Sequence, residues 1–370
     1  MKIDIIAGAR PNFMKIGPII KQIKKFNTQH PEKPFQYRLI HTGQHYDRNM
    51  SDSFFEQLGI PEPDINLGAG SGTQASQTAQ IMIGYENAIQ SWKPDVCIVV
   101  GDVTSTMACS IVARKAGIKV AHVEAGIRSG DWSMPEEINR VVTDSITNYF
   151  FTTSEEANQN LLTSGHKPEQ VFYVGNTMID SLLENLDKLK QPDFFQAFFK
   201  DRKYIVLTLH RPSNVDDPEK LADLLDKIHG SLNDCLVLFP MHPRTRKVFD
   251  AIGKTYEQFV IVEPMSYLEF MYAVKNASGV VTDSGGITEE TTVLNIPCIT
   301  LRDSTERPET IRLGTNELVT DLSLLEGYIR KMIRGEWKQA QSIKYWDGKT
   351  AQRIVEALAS INTLTNRHSV

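Results

Sequence analysis

Four titratable side chains in this sequence stand at the ends of apolar, strand-like runs. They are Asp102 in GDVTST (101–106), Glu124 in HVEAG (122–126), His210 in TLHRPSN (208–214) and His242 in PMHPR (240–244). A carboxylate at the end of a buried strand is costly unless it is paired or used, and partial burial moves its pKa toward values that suit acid–base catalysis. Each of the four can also be read as a strand-end polar group satisfied by a neighbouring turn. His122 lies within its strand and reads as a satisfied core histidine. Beyond Glu124, the stretch VAHVEAGIRSGDWSMPEEINR (120–140) crowds Arg128, Asp131, Glu136, Glu137 and Arg140 around Gly130 and Pro135. It is either a solvated, charged loop or the rim of a catalytic site.

Three further motifs have the chemistry of anion binding. GARPNFMK (8–15) follows the first predicted strand, and Arg10 and Lys15 place two cations where a helix begins. Helix N-termini favour anions through their unsatisfied N–H groups and the helix dipole. VTDSGGITEE (281–290) repeats the strand–turn–helix arrangement, with Ser284, Gly285 and Gly286 offering a hydroxyl and unhindered backbone N–H groups to a diphosphate. Glu289 or Glu290, one turn on, could accept bonds from ribose hydroxyls, and Asp283 and Ser284 can also serve as N-caps. RDSTERPET (302–310) adds Arg302 and Arg307 as fixed cations for a leaving diphosphate. None of these is a Walker loop or a GxGxxG fingerprint, so a dinucleotide site is not supported. No HxxxH, cysteine pair or acidic triplet suggests a metal.

The elements that must position these groups alternate. Predicted strands lie at 2–8, 37–43, 95–101, 119–125, 148–154 and 170–175, with helical stretches at 17–26, 74–92 and 105–117 between them. That pattern predicts βα units and parallel sheets covered on both faces. A charged helical segment at 182–202, with a proline break, separates this half from strands at 203–210, 235–242, 259–265, 279–286 and 297–303. The tail from about Tyr328 to Ile361 reads as helical, broken at WDGK (346–349). The expectation is an α/β protein of two domains: residues 1–175 with the tail from about 350 to 370, and residues 176–349. Its ligands would lie in a central cleft at the carboxyl ends of both sheets.

Bulk properties exclude several classes. The chain has 370 residues, 41% hydrophobic and 23% charged, which is the composition of an ordered soluble protein. A formal charge of −5 gives no general attraction to nucleic acid or anionic membrane, so any anion must be held locally. No apolar run has the length of a membrane span, and MKIDIIAGARP reads as a first strand rather than a signal peptide. Cys97, Cys109, Cys235 and Cys298 are scattered and read as buried, reduced thiols of a cytoplasmic protein.

Taken in order, GARPNFMK, HTGQHYD, GDVTST, HVEAGIRSGD–PEEINR, YVGNTMID, TLHRPSN, DSGGITEE and RDSTERPE resemble the non-hydrolysing UDP-N-acetylglucosamine 2-epimerase family over nearly the whole chain. The resemblance implies two Rossmann-like domains of the GT-B type, with a C-terminal helix packed on the first. It also implies inversion at carbon 2 of a UDP-linked 2-acetamido sugar without a cofactor, through loss of UDP, a glycal intermediate and re-addition of UDP. UDP-N-acetylmannosamine would be the product, feeding cell-surface polysaccharide synthesis. Matched residue by residue, Asp102, Glu124, Glu136 and His210 take the catalytic positions. Arg10, Ser284, Gly285, Glu290 and Arg307 take the UDP-binding positions, Glu290 on the ribose, with Lys15 beside them; Gly286 and His242 are further candidates for substrate binding. The uracil would lie near Pro264–Tyr267. Gln44 and His45 match part of a second, activating UDP-sugar site, and a homodimer is implied. The chain departs from common members in reading GARPN, HRPSN and PMHPRTRK. Related enzymes use UDP-2,3-diacetamido-glucuronic acid; a GT-B glycosyltransferase, a hydrolysing epimerase and a non-catalytic UDP-sugar sensor are the other readings.

Overall fold

Strand β4 (Val96–Val100) reads VCIVV and is buried at every position, as a parallel strand covered by helices on both faces requires. Its neighbours β1 (Lys2–Ala7) and β5 (Lys119–Val123) expose only their first residue. The computed structural model describes residues 1–43, 59–70 and 72–367; the side chains of Arg10 and of residues 364–367 also lie outside that description. The chain divides into one unit of Met1–Glu184 with Lys344–Val370, and a second of Asn185–Ile343.

In the first unit β1, β2 (Gln36–His41), β3 (Ile65–Asn66), β4, β5, β6 (Tyr149–Thr152) and β7 (Val171–Tyr173) pair in parallel in the order β3-β2-β1-β4-β5-β6-β7. Helices α1 (Arg10–Gln29), α2 (Gln74–Ser91), α3 (Thr104–Lys115), α4 (Pro135–Ile146), α5 (Glu155–Thr163) and α6 (Thr177–Asn185) join or follow the strands. The second unit repeats the plan. Its strands are β8 (Tyr204–Thr208), β9 (Leu236–Pro240), β10 (Phe259–Val262), β11 (Val280–Thr282), β12 (Cys298–Thr300) and β13 (Asn316–Leu318), in the order β10-β9-β8-β11-β12-β13. Its helices are α7 (Phe195–Phe199), α8 (Pro212–Val215), α9 (Pro218–His229), α10 (Pro243–Ile252), α11 (Tyr267–Lys275), α12 (Ile287–Val293), α13 (Pro308–Arg312) and α14 (Leu325–Arg334). Both units are Rossmann-like. In each, strand order reverses between the first and fourth strands, and ligands of such sheets bind outside the carboxyl ends at that point.

The last helix, α15 (Thr350–Arg367), belongs to the first unit and packs along α1. Buried Asp180 on α6 accepts from Thr350 N (3.1 Å) and Ala351 N (2.7 Å), so it caps this helix from another element. Trp346 Nε1 donates to Thr153 O at 3.2 Å and pins the approach to it.

Several elements depart from the sequence reading. Helix α1 starts at Arg10 rather than residue 17, because Asn12 Oδ1 accepts from Gly8 N (3.1 Å) and Ala9 N (2.9 Å) and closes the turn directly after β1. The tail is not helical throughout: Gly335, at φ +76°, ends α14, and α15 begins only at Thr350. In between, Trp337 Nε1 bonds Thr315 O and Lys338 Nζ bonds Ile311 O, each at 2.7 Å, which ties this segment down as extended chain. Strands β3 and β13 were not anticipated; two and three residues long, they carry no periodic signal. All four cysteines are free and buried, and among the described residues no helix is long and apolar enough to cross a membrane.

Candidate active site

Asp102 and Glu124 follow adjacent parallel strands, β4 and β5, whose last residues Val100 and Val123 are paired. Both chains leave the sheet through left-handed backbone: Gly101 at φ +70° and Glu124 itself at φ +67°. A non-glycine residue there costs on the order of 1–2 kcal/mol and persists where the surroundings demand it, commonly at active sites. Glu124 is 4% exposed, and its Oε2 takes a 2.6 Å ion pair from Lys15 on α1. A Cβ built on Gly101 would stand 3.7 Å from that same oxygen and 3.4 Å from Lys15 Nζ, so the pair lies directly over the turn that leads to Asp102. Asn12 Nδ2 donates to Val100 O at 3.0 Å and holds α1 against this strand end.

Asp102 is more open. Its Oδ2 accepts from Arg140 Nη2 at 2.5 Å, and its carbonyl accepts from Asn139 Nδ2 at 2.8 Å, both from α4. Arg140 also bonds Glu137 Oε2 at 2.9 Å. Glu137, fully enclosed, further accepts from Ser129 N, Ser129 Oγ and Gly130 N at 2.9–3.1 Å. Burial works to raise the Glu137 carboxyl, but the bonds from Ser129, Arg140 and Gly130 outweigh it and hold it below the ordinary range. Glu137 is therefore the organiser of the 129–134 loop rather than mere helix-start charge. Glu136, one residue earlier on α4, is half-buried.

In the second unit His210 follows β8, and Ser284, Gly285 and Gly286 follow the adjacent β11. Asp283 is not an N-cap. Fully buried, it accepts from His210 N, Arg211 N and Asn214 Nδ2, and its Oδ1 lies 2.9 Å from His210 Nδ1. Burial would raise its carboxyl, yet these partners keep it below the usual carboxylate range. The His210 ring, 53% exposed, is thus anchored at one nitrogen and presents the other outward. Ser284 does not cap either: helix α12 is preceded by Gly286, and Ser284 N donates to Thr282 Oγ1 at 2.9 Å. A Cβ on Gly285 would come 3.0 Å from Arg302 Nη1, which keeps this turn bare.

The two arginines read as fixed cations are already engaged. Arg302 makes a two-pronged pair with Glu306, both bonds 2.8 Å, and Arg307 Nε is paired with Glu289. Their charges are locally compensated, since each has a carboxylate within its own turn or on α12. Glu290, whose side chain is enclosed, accepts from Tyr267 OH at 2.8 Å, and burial raises its carboxyl to about 7. That bond brings the predicted ribose and uracil residues together. His242 is exposed and its Nδ1 accepts from Arg244 N at 3.2 Å, making it the N-cap of α10. Arg10 occupies the first position of α1; Gln44 and His45 lie outside the described residues. No group of His, Cys, Asp and Glu among the described residues is arranged to hold a metal ion.

Sequence reasoning gave no site role to Asn12, Arg140 or Asp283. The i,i+3 spacing of Glu137 and Arg140 on a proline-started helix was a usable signal for one of them. Asp283 had none, because its partners are about seventy residues away in the chain.

Residues 27–359 match the family model described as UDP-N-acetylglucosamine 2-epimerase. A UDP-N-acetylglucosamine 2-epimerase of Methanocaldococcus jannaschii is 42% identical, covering 97% of this chain and 99% of that protein. A UDP-2,3-diacetamido-2,3-dideoxy-D-glucuronate 2-epimerase of Pseudomonas aeruginosa is 37% identical over 98% of this chain and 100% of its own. The crystal structure of the Methanocaldococcus jannaschii UDP-GlcNAc 2-epimerase in complex with UDP-GlcNAc and UDP superposes with a TM-score of 0.84 at 41% identity, covering 97% of this chain and 100% of that one.

Proposed function

The chain belongs to the UDP-N-acetylglucosamine 2-epimerase family, and from that premise we propose that it interconverts UDP-N-acetylglucosamine and UDP-N-acetylmannosamine. The observation that carries the reading is the placement of Asp102 and Glu124 on consecutive turns of neighbouring strands, each tied to its own cation, Arg140 and Lys15. A carboxylate of this pair takes the proton from carbon 2. The bond from carbon 1 to UDP breaks with its electron pair on the diphosphate, leaving a carbon 1–carbon 2 double bond. UDP then returns to carbon 1 as a proton is delivered to the other face of carbon 2, so atoms and charge balance over the cycle. General acid–base catalysis of this kind and electrostatic holding of the leaving group are the two demands of the reaction.

In this reading Glu136 assists the acid–base pair, and His210 faces the departing and returning diphosphate. Ser284, Gly285, Gly286 and Arg307 hold that diphosphate, with Arg10, Lys15 and His242 contributing to substrate binding. Glu290 takes the ribose, and Tyr267 lies beside the base. A homodimer and a cytoplasmic location are further parts of the proposal, open to sedimentation and fractionation.

The test is incubation with UDP-N-acetylglucosamine in deuterium oxide, followed by NMR of carbon 2. UDP-N-acetylmannosamine carrying deuterium at that carbon is expected. Asp102→Asn and Glu124→Gln should each lower turnover while leaving UDP affinity nearly unchanged. A donor recovered intact and unlabelled would overturn the substrate assignment. The 37% identity to the diacetamido-glucuronate enzyme makes that UDP-sugar the second substrate to try.

A further inference from the structure

We propose that His122, bonded through both ring nitrogens, positions the turns carrying Asp102 and Glu124. The ring is fully enclosed. Its Nδ1 lies 2.7 Å from Asp144 Oδ1, and its Nε2 lies 2.8 Å from the carbonyl oxygen of Gly101. Both partners are acceptors. The enclosed ring thus spends both nitrogens on oxygens, one on α4 and one at the end of β4, which fixes its plane.

Ion pairs hold the same rim: Lys15 with Glu124, Arg128 with Asp144, and Arg140 with Asp102 and Glu137. From β6 the neighbour of His122 in register is the apolar Phe150.

What the ring holds is specific. Gly101 donates its N–H to Val123 O at 3.0 Å, and its carbonyl begins the peptide that leads to Asp102. Asp144, the ring's other partner, accepts from Gly126 N at 3.1 Å and from Arg128 Nη1 at 2.7 Å, which fixes the chain directly after Glu124. Burial would raise the Asp144 carboxyl, and His122 and Arg128 together keep it below its ordinary range. The imidazole ring and this carboxylate thereby clasp the exits of β4 and β5 to each other. His122 touches no reacting atom; it acts through the placement of two groups that do, and this role rests on the reading of Asp102 and Glu124 given above.

The experiment is NMR of the full chain labelled with nitrogen-15 histidine, combined with kinetics of two variants. Thermal melts and the histidine ring signals first establish that Asp144→Asn, whose side chain keeps the shape, and His122→Gln are folded. Asp144→Asn and His122→Gln should lower kcat about tenfold to a hundredfold with KM within about twofold, the pattern of misplaced catalytic groups. A folded Asp144→Asn or His122→Gln that keeps its kcat overturns the proposal while leaving the epimerase reading intact. Absence of carbon 2 exchange in the unaltered protein would remove the function reading, and the positioning role with it.

Discussion

Arg140→Met tests whether Asp102 is held for chemistry or merely paired. Methionine keeps most of the apolar stem and deletes the guanidinium. Arg140 and Glu137 are 7% and 2% exposed at their side chains, while Asp102 is 31% exposed. Breaking a buried ion pair by removing one partner costs about 3–5 kcal/mol, and an exposed pair about 0–1 kcal/mol. Glu137 keeps its donors from Ser129 and Gly130, and Asp102 can turn to water, so the loss should fall near 2–3 kcal/mol, roughly 5–10 °C in Tm. The pH dependence has a definite sign. Glu137 is held below its ordinary pKa, so its contribution is present above the unfolded value and lost as pH falls through the folded one. The stability gap between parent and variant should therefore be full at neutral pH and close in acid. Turnover should fall about tenfold to a hundredfold with KM little changed, because the Asp102 carboxylate loses its orienting partner. Arg140→Lys, a point charge without the planar fork, should lie between. Thermal melts across pH and the rate of deuterium entry at carbon 2 are the assays. An Arg140→Met protein with parental turnover would refute the positioning argument, and a stability gap independent of pH would refute the electrostatic one.

Three other perturbations have outcomes fixed by local geometry. Gly126→Ala would bring a Cβ 2.3 Å from the Ala157 carbonyl oxygen at φ +79°, so a loss of about 3 kcal/mol or more is expected in melting, and a parental Tm would contradict it. Glu309, 3% exposed with its carboxyl raised by burial from 4.5 to about 7, contributes stability that is present below pH 4.5 and lost as pH rises through about 7. Glu309→Gln should thus melt several degrees higher than the parent at about pH 8, at roughly 2–4 °C per kcal/mol, and no higher near pH 4.5. Asp180→Ala removes the acceptor for Thr350 N and Ala351 N, so α15 should lose about 1–2 kcal/mol, read as faster amide exchange confined to that helix and its contacts.

The architecture was largely legible because parallel, doubly covered strands must be apolar throughout, and VCIVV or YIVLT can hardly be anything else. The strand-end positions of Asp102, Glu124, His210 and Ser284 followed from the same runs. Electrostatic partners were less legible. Arg302 and Arg307 looked like open cations because a linear sequence does not reveal that Glu306 and Glu289 fold back onto them. Asp283 looked like a cap because its real partners lie at the end of the neighbouring strand β8, about seventy residues earlier in the chain. His122 was correctly a satisfied core residue, but the sequence does not reveal that its partners, Asp144 and the Gly101 carbonyl, join the chain on either side of the candidate site.

The second unit shows why so many carboxylates can line the end of a sheet proposed to hold a diphosphate. Exposed anions there would repel the ligand through the low-dielectric edge of the protein. Five carboxylates of this unit, Asp283, Glu289, Glu290, Glu306 and Glu309, are masked in one of two ways. Asp283 is spent on His210 and two backbone N–H groups, Glu289 on Arg307 and Glu306 on Arg302. Glu290 and Glu309 are raised to about 7 by burial, so near neutrality each is a partly protonated acid. The first unit, where the corresponding turns carry Asp102 and Glu124, pairs its carboxylates without burying both of them. In the proposed function the same strand order thus carries two opposite tasks: carboxylates kept in play for moving protons at one switch point, and carboxylates silenced around bare glycines at the other.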